Sequence, residues 1–94
     1  MIMNEENIKT LVDNVYNTIL SIDSEFKWYV ISVPVKTWRV SYTVRELHEE
    51  LMKYITETAL ERFILAVEEY LKENENVEEL NNGRKLLNTL KSEL

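Results

Sequence analysis

The sequence predicts an α+β domain dominated by helices, with the order α-β-β-α-α and an antiparallel β-hairpin packed on a long amphipathic helix. Aromatic and β-branched residues, which favour strands, are concentrated in residues 25–42, together with the only proline. On both sides of this segment, apolar residues recur at steps of three and four, the period of an amphipathic helix. One glycine in 94 residues leaves little room for long loops.

The first predicted helix spans residues 5–22. Asn4 is a suitable N-cap, because its side chain can accept hydrogen bonds from the free amides of the first turn. Glu5 and Glu6 follow it and suit the positive end of the helix dipole. The apolar stripe of this helix consists of Ile8, Leu11, Val12, Val15, Ile19 and Ile22.

Two strands are predicted in residues 25–33 and 37–42. Pro34 should end the first strand, because proline cannot donate a hydrogen bond to a ladder, and a loop after it would make the two strands a hairpin. Both tryptophans, Trp28 and Trp38, are interpreted as core residues of a small domain. The alternative is that their rings face solvent and bind a ligand.

A capping box at residues 43–46 predicts that the second strand passes directly into a helix, since its threonine and its glutamate can each bond to the other's backbone amide. The apolar stripe then continues to Leu71. This continuity favours one long helix with at most a kink near residues 56–58. The alternative is a new helix that starts at a second capping box, residues 58–61.

A polar break at residues 74–76 precedes the final predicted helix, which runs from Val77 to about Glu93 with Asn76 as its cap. Gly83 would weaken this helix, because glycine costs roughly 1 kcal/mol relative to alanine in a helix interior. Residues 1–94 suffice for a single domain with one core. That predicted core consists of Ile8, Leu11, Val15, Ile19, Trp28, Val30, Val40, Leu47, Leu51, Ile55, Phe63, Val67 and Leu90.

Catalytic chemistry has few candidate residues. The chain contains no cysteine, and His48 is its only histidine. Residues 48–52 depart from the two-histidine zinc helix motif, because Met52 stands where the second histidine is required. No nucleophile–base pair or metal constellation can be assembled from the remaining residues. We therefore expect no enzymatic activity, no cofactor and no metal site.

The sequence also predicts a cytoplasmic protein without membrane contact. No apolar run approaches the roughly 20 residues of a membrane span. The first residues lack the basic and apolar regions of a signal peptide. Nine asparagines in a small acidic chain are typical of a viral or mobile-element gene, in which case the compartment would be the host cytoplasm.

The charge distribution favours a protein partner. The net charge is −6, and glutamates at four-residue spacing lie about 6 Å apart along a helix. We interpret the protein as a non-enzymatic regulator or inhibitor that presents acidic helices to a basic surface of a host nucleic-acid-processing protein, as a DNA mimic or anti-defence protein does. The predicted partner-binding residues are Glu46, Glu49, Glu50, Glu57 and Glu61.

The alternative function is nucleic-acid binding through the hairpin. Residues 25–43 hold three basic residues and one acidic residue, in contrast to the rest of the chain. Basic side chains beside aromatic rings can form a stacking platform for single strands. The residues of that platform would be Lys27, Trp28, Lys36, Trp38 and Arg39. A homodimer is also predicted, because a two-stranded hairpin has unpaired edges that could join with those of a second subunit.

Overall fold

The computed structural model describes residues 4–94. Within that range the chain forms four α-helices and one two-stranded antiparallel sheet, which confirms the helix-dominated α+β class. The elements are α1 (Glu5–Ile22), β1 (Val30–Val35), β2 (Trp38–Thr43), α2 (Val44–Lys53), α3 (Glu57–Glu73) and α4 (Asn81–Ser92). Two 3-10 turns, Ser24–Trp28 and Glu78–Leu80, precede β1 and α4. None of the helices in the described part of the chain is both long enough and apolar enough to cross a bilayer.

Helix α1 has the bounds that the sequence predicts. The side chain of Asn4 accepts hydrogen bonds from the amides of Glu6 and Asn7, which confirms it as the N-cap. The helix buries one face against α2 and α4. Ile22, the last residue of the predicted stripe, is exposed.

The segment before the hairpin is a 3-10 turn, so the predicted start of the first strand is wrong. The carboxylate of Asp23 accepts a hydrogen bond from the amide two residues later, and this cap favours a tight turn over extended backbone. The turn buries Phe26 completely, whereas Trp28 is 49% exposed. The ring of Phe26 lies between those of Tyr16 and Tyr70, with centroid distances of 5.9 Å and 4.7 Å.

Pro34 does not end β1 but lies inside it, opposite Arg39. Each strand of a two-stranded sheet has a free edge, where a residue without an N–H is tolerated. The hairpin closes after the pair Val35–Trp38 with a two-residue turn, Lys36 and Thr37. The turn is therefore tighter than the predicted loop.

The predicted long helix is two helices, which corrects the element order to α-β-β-α-α-α. Tyr54 and Thr56 adopt extended backbone, with ψ angles of 145° and 150°. The hydroxyl of Thr56 accepts a hydrogen bond from the amide of Ala59 at 3.1 Å, so Thr56 and not Thr58 caps the second helix. The break places Ile55 in the core, and α3 packs against α2.

Helix α4 begins later than predicted, because a 3-10 turn occupies residues 78–80 and no side chain caps that turn. Gly83 does not interrupt α4 but lies within it, in the interface with α1. A Cβ atom at this position would stand 2.7 Å from Cγ1 of Ile19, so the two helices approach too closely for any larger residue. Close packing therefore explains the only glycine.

The core forms where the helical stripes meet, and most of its predicted members are buried. They are Ile8, Val15, Ile19, Leu47, Leu51, Ile55, Phe63, Val67 and Leu90. Leu11 is half-buried against the core, and Val40 is half-buried on the hairpin. The predictions for Trp28, Val30 and Trp38 are wrong, because these side chains are 49%, 53% and 64% exposed.

Candidate binding surface

The two strands and their turn form a hairpin arm, residues 30–43, with two distinct faces. Cross-strand partners point to the same face of an antiparallel pair. The inner face consists of the pairs Ile31–Tyr42, Val33–Val40 and Val35–Trp38. The outer face consists of the pairs Val30–Thr43, Ser32–Ser41 and Pro34–Arg39. The inner face is therefore apolar along its whole length, whereas the outer face is largely polar.

Exposure of the inner face rises from the base of the arm to its end. Ile31 is 2% exposed, whereas Trp38 is 64% exposed. Helix α3 contacts the base of the arm, where the guanidinium carbon of Arg62 lies 4.7 Å from the ring centroid of Tyr42. The two distal pairs of the inner face, called the arm tip below, are Val33–Val40 and Val35–Trp38. The arm tip is an apolar surface that the helices leave partly uncovered.

A strained turn closes the arm. Lys36 has a φ of 56°, and Thr37 has a negative φ, the signs of a type II′ turn. A side chain at positive φ is disfavoured, and glycine usually occupies this position. Here the position carries a cation, which the turn presents at the outermost point of the arm.

The outer face is braced across the strands. Arg39 donates from Nε to the hydroxyl of Ser32 at 2.9 Å and from Nη2 to the carbonyl of Ser32 at 2.5 Å. These bonds occupy the carbonyl of Ser32, and Pro34 lacks an N–H. Strand β1 therefore offers few free groups to an added strand.

A second aromatic group lies at the base of the arm. Two cations lie near the ring of Trp28, with Nζ of Lys27 at 5.4 Å and the guanidinium carbon of Arg45 at 5.2 Å from its centroid. Arg45 also forms an ion pair with Glu49 at 2.7 Å. The predicted nucleic-acid residues thus fall into two groups: Lys27 and Trp28 at the base, and Lys36, Trp38 and Arg39 at the far end.

A partly buried hydrogen-bond network anchors the base of the arm to α3. The hydroxyl of Tyr70 donates to the carboxylate of Asp23, which also caps the turn that precedes the arm. The ring of Tyr29 packs edge-on against Tyr70 with centroids 5.5 Å apart. Burial, followed by the hydrogen bond to Glu73 and its charge, raises the pKa of Tyr29 to about 12. Neither the sequence pattern nor the spacing indicated this network.

The predicted acidic surface is divided by the helix break. Glu46 belongs to the capping box: the amide and hydroxyl of Thr43 both donate to its carboxylate at 3.0 Å, which lowers its pKa. Glu49 is paired with Arg45, and Glu50 is half-buried. Glu57 and Glu61 lie on the other helix, α3, and are exposed. The five glutamates therefore do not form one continuous row.

His48 has a structural environment that the sequence did not reveal. Its ring stacks on Tyr16, with centroids 3.9 Å apart, and its Nε2 lies 2.9 Å from a carboxylate oxygen of Asp13. These contacts join α1 to α2. Between residues 4 and 94 there is no cluster of three or more side chains that could hold a metal ion.

Comparison with known proteins adds no functional assignment: no protein-family model, no curated protein and no solved structure matches this chain. The candidate site therefore depends on geometry alone. That geometry identifies the arm tip, with its half-buried valines and exposed Trp38, as an apolar surface among the described residues.

Proposed function

We propose that the protein is a non-enzymatic regulator that binds another protein, and that the arm tip is its contact surface. The observation that carries this proposal is the position of Trp38, 64% exposed on an apolar face at the end of a projecting hairpin. The folded protein leaves this ring exposed to solvent, although tryptophan is among the side chains that gain most from burial. A binding partner would supply the missing burial.

The composition of the arm suits a protein interface. Tryptophan and arginine are enriched among residues that dominate binding energies, especially where less critical contacts surround them. Trp38 is flanked by half-buried valines, and Lys36 and Arg39 lie beside it on the chain. A target with an apolar recess and an acidic rim would complement this surface. We place the protein in the cytoplasm, of a host cell if the gene is viral, which the absence of cysteine supports.

The acidic side chains have a secondary role in this proposal. Glu57 and Glu61 are exposed on α3, away from the ion pair of Glu49. Single exposed charges contribute little affinity but can steer a charged partner. We retain them as secondary contacts to a basic region of the target.

A second candidate is binding of single-stranded nucleic acid. It is favoured by the exposed ring of Trp28, near which two cations lie, at 5.2 Å and 5.4 Å. Stacking of a base on an aromatic ring contributes roughly 1–3 kcal/mol. Few cations accompany the two rings on a chain of net charge −6. Binding should therefore be weak and fall with salt at a log–log slope of about −2 to −3.

Site-specific photo-crosslinking in the native host tests the proposal. A crosslinking residue at position 35, which leaves Trp38 in place on the same face, should capture one defined protein, and the same residue at position 61 should capture it less efficiently. Once that protein is purified, Trp38→Ala should weaken its binding at least roughly tenfold, whereas Trp28→Ala should change it little. Capture from position 61 alone would contradict the arm as the contact surface.

Oligonucleotide titration tests the second candidate independently. A short single strand should leave the emission of both tryptophans unchanged at physiological salt if the target is a protein. Quenching of the tryptophan emission with micromolar affinity would instead establish nucleic-acid binding, provided that Trp28→Ala and Trp38→Ala each abolish that binding.

A further inference from the structure

The chain itself carries a surface that complements the arm tip. Leu65 on α3 is 41% exposed. Exposed glutamates lie one helical turn before and after it, Glu61 and Glu69, and Glu57 lies one turn further towards the start of α3. These four residues recur every fourth position and so lie along one side of the helix. We call them the α3 stripe: an exposed leucine within a row of carboxylates.

The arm and the stripe carry opposite charges. The arm, residues 30–43, has two basic residues and no acidic residue, whereas the whole chain has a net charge of −6. Arg39 lies on the outer face, but Lys36 lies in the turn at the open end of the inner face, next to the pair Val35–Trp38. An apolar centre with a positive neighbour therefore has, on the same molecule, an apolar centre with negative neighbours to match.

We infer that the arm tip of one copy docks on the α3 stripe of a second copy, and that the contact is reciprocal in a twofold dimer. Trp38 would cover Leu65, and Lys36 in the adjacent turn would approach Glu61 or Glu69. A twofold axis repeats each contact, so one arm and one stripe per copy contribute twice to the interface. A standard stable interface buries about 800 Å² per partner, about an eighth of the 6039 Å² surface of this chain.

The alternative dimer, with two hairpins joined edge to edge, fits the structure less well. Pro34 and the bond from Arg39 to the Ser32 carbonyl remove pairing groups from β1. Two arms placed side by side would also bring like charges together. Docking on the stripe avoids both costs.

If, as proposed above, the target also binds the arm tip, the second copy and the target compete for the same surface. This competition rests on the proposed function, whereas the dimer does not.

A charge-swap experiment tests the dimer. Lys36→Glu gives an arm variant, and Glu61→Lys/Glu69→Lys gives a stripe variant. Each should remain monomeric at tens of micromolar, where the wild-type chain is a dimer by light scattering, because in each the side chain at position 36 and the stripe carry charges of the same sign. An equal mixture of the two should form heterodimers, since each turn residue 36 then meets an oppositely charged stripe.

Net charge alone predicts the opposite order. Each glutamate-to-lysine change adds two charges, so the net charge of the stripe variant is −2 instead of −6. If net repulsion alone controlled association, this least charged variant would self-associate most strongly. Added salt should weaken the wild-type dimer if the arm docks on the stripe, and strengthen it if net repulsion dominates. Self-association of the stripe variant, or no association in the mixture, would overturn the inference, as would a monomeric wild-type chain at these concentrations.

Further variants separate the dimer from the proposed function and from misfolding. Leu65→Ser alters an exposed side chain, so it should keep the far-UV spectrum, lose the dimer, and leave capture of the target from position 35 intact or increased. Trp38→Ala should lose both. In the purified chain, a crosslinking residue at position 35, which leaves Trp38 in place on the same face, should form dimers whose adducts map to residues 57–69. Adducts that map to the partner's hairpin would refute docking on the stripe.

Discussion

The hydroxyl of Tyr70 on α3 donates a hydrogen bond of 2.5 Å to the carboxylate of Asp23, 47 residues earlier in the chain. The other carboxylate oxygen of Asp23 accepts from the amide of Glu25 and so caps the 3-10 turn. That turn leads into the arm. The pair therefore fixes where the arm leaves the helical body, and its strength affects both stability and the placement of the binding surface.

Replacing Tyr70 by Phe should destabilise the fold by about 1–2 kcal/mol, because a hydrogen bond to a charged group is lost while the ring remains. Urea denaturation followed by far-UV circular dichroism measures this change. Tyr54→Phe is the matched control, since that ring is exposed and surface substitutions usually stay within about 0.5 kcal/mol. Equal stabilities of the two variants would show that the Asp23 contact is not stabilising.

Stability should decline at alkaline pH. Burial and the interaction with Glu73 raise the pKa of Tyr29 to about 12, and burial and the Asp23 contact raise that of Tyr70 further. When folding raises the pKa of a tyrosine, its contribution to the free energy of unfolding is complete below the unfolded pKa of about 10. Above that pH the unfolded chain loses the phenolic proton first, so this contribution is lost as pH rises through the folded pKa. The urea midpoint should therefore fall between about pH 10 and pH 12.

Tyrosinate absorbance provides the direct check on that decline. Part of the tyrosine signal should titrate only as the protein unfolds. Tyr29→Phe should reduce the loss of stability above pH 10 without changing its sign. A midpoint that falls as steeply in Tyr29→Phe and in Tyr70→Phe as in the wild type would contradict the assignment.

Substitution of two nearby threonines tests which of them caps α3 after the helix break. The side chain of Thr56 accepts from the amide of Ala59 at 3.1 Å, whereas Thr58 lies exposed within α3. Thr56→Ala should cost about 1 kcal/mol, the usual loss of an N-cap. Thr58→Ala should be neutral or slightly stabilising, because alanine is the better helix former. The reverse order would place the cap at Thr58.

The same break shows where sequence patterns stop being informative. The apolar stripe runs from Val44 to Leu71 without a change of register because α2 and α3 face the same core. Periodicity reports which residues face the core and not whether the axis between them is continuous. The cap at Thr56 decided the outcome locally, although the sequence offered a capping box at Thr58 and none at Thr56.

The hairpin illustrates a different limit. Aromatic and β-branched residues correctly predicted strands, but the sequence could not distinguish the side chains of Phe26 and Trp28, two positions apart in the expected strand. The 3-10 turn capped by Asp23 buries the first and exposes the second. The acidic surface was predicted on one helix, and the uncovered apolar face of the arm was not foreseen. The exposure of Trp38 depends on how far the arm projects, which is a property of the tertiary structure.

Replacing Lys36 by Gly should stabilise the arm. A non-glycine residue in left-handed backbone costs roughly 1–2 kcal/mol, and Lys36 has a φ of 56°. Glycine removes that cost but adds roughly 0.5–1 kcal/mol of conformational entropy, so the net gain should be below about 1 kcal/mol. Thr37→Gly, at a negative φ, should destabilise instead. Thermal denaturation of the two variants distinguishes them, and a loss of stability in Lys36→Gly would disprove strain in the turn.

Replacing Gly83 by Ala sets two opposing effects against each other. Alanine should favour α4 by roughly 1 kcal/mol through helix propensity. Its Cβ, however, would stand 2.7 Å from Cγ1 and 3.2 Å from Cδ1 of Ile19, a fully buried side chain of α1. Overpacking of this kind costs about 1–3 kcal/mol, so we expect net destabilisation by up to about 2 kcal/mol.

Urea denaturation of a control variant separates the two effects. Asn82→Ala, at the neighbouring exposed position, supplies the propensity gain alone and should stabilise the protein. If Gly83→Ala stabilises as much as Asn82→Ala, then α1 and α4 do not pack as closely as Gly83 and Ile19 indicate.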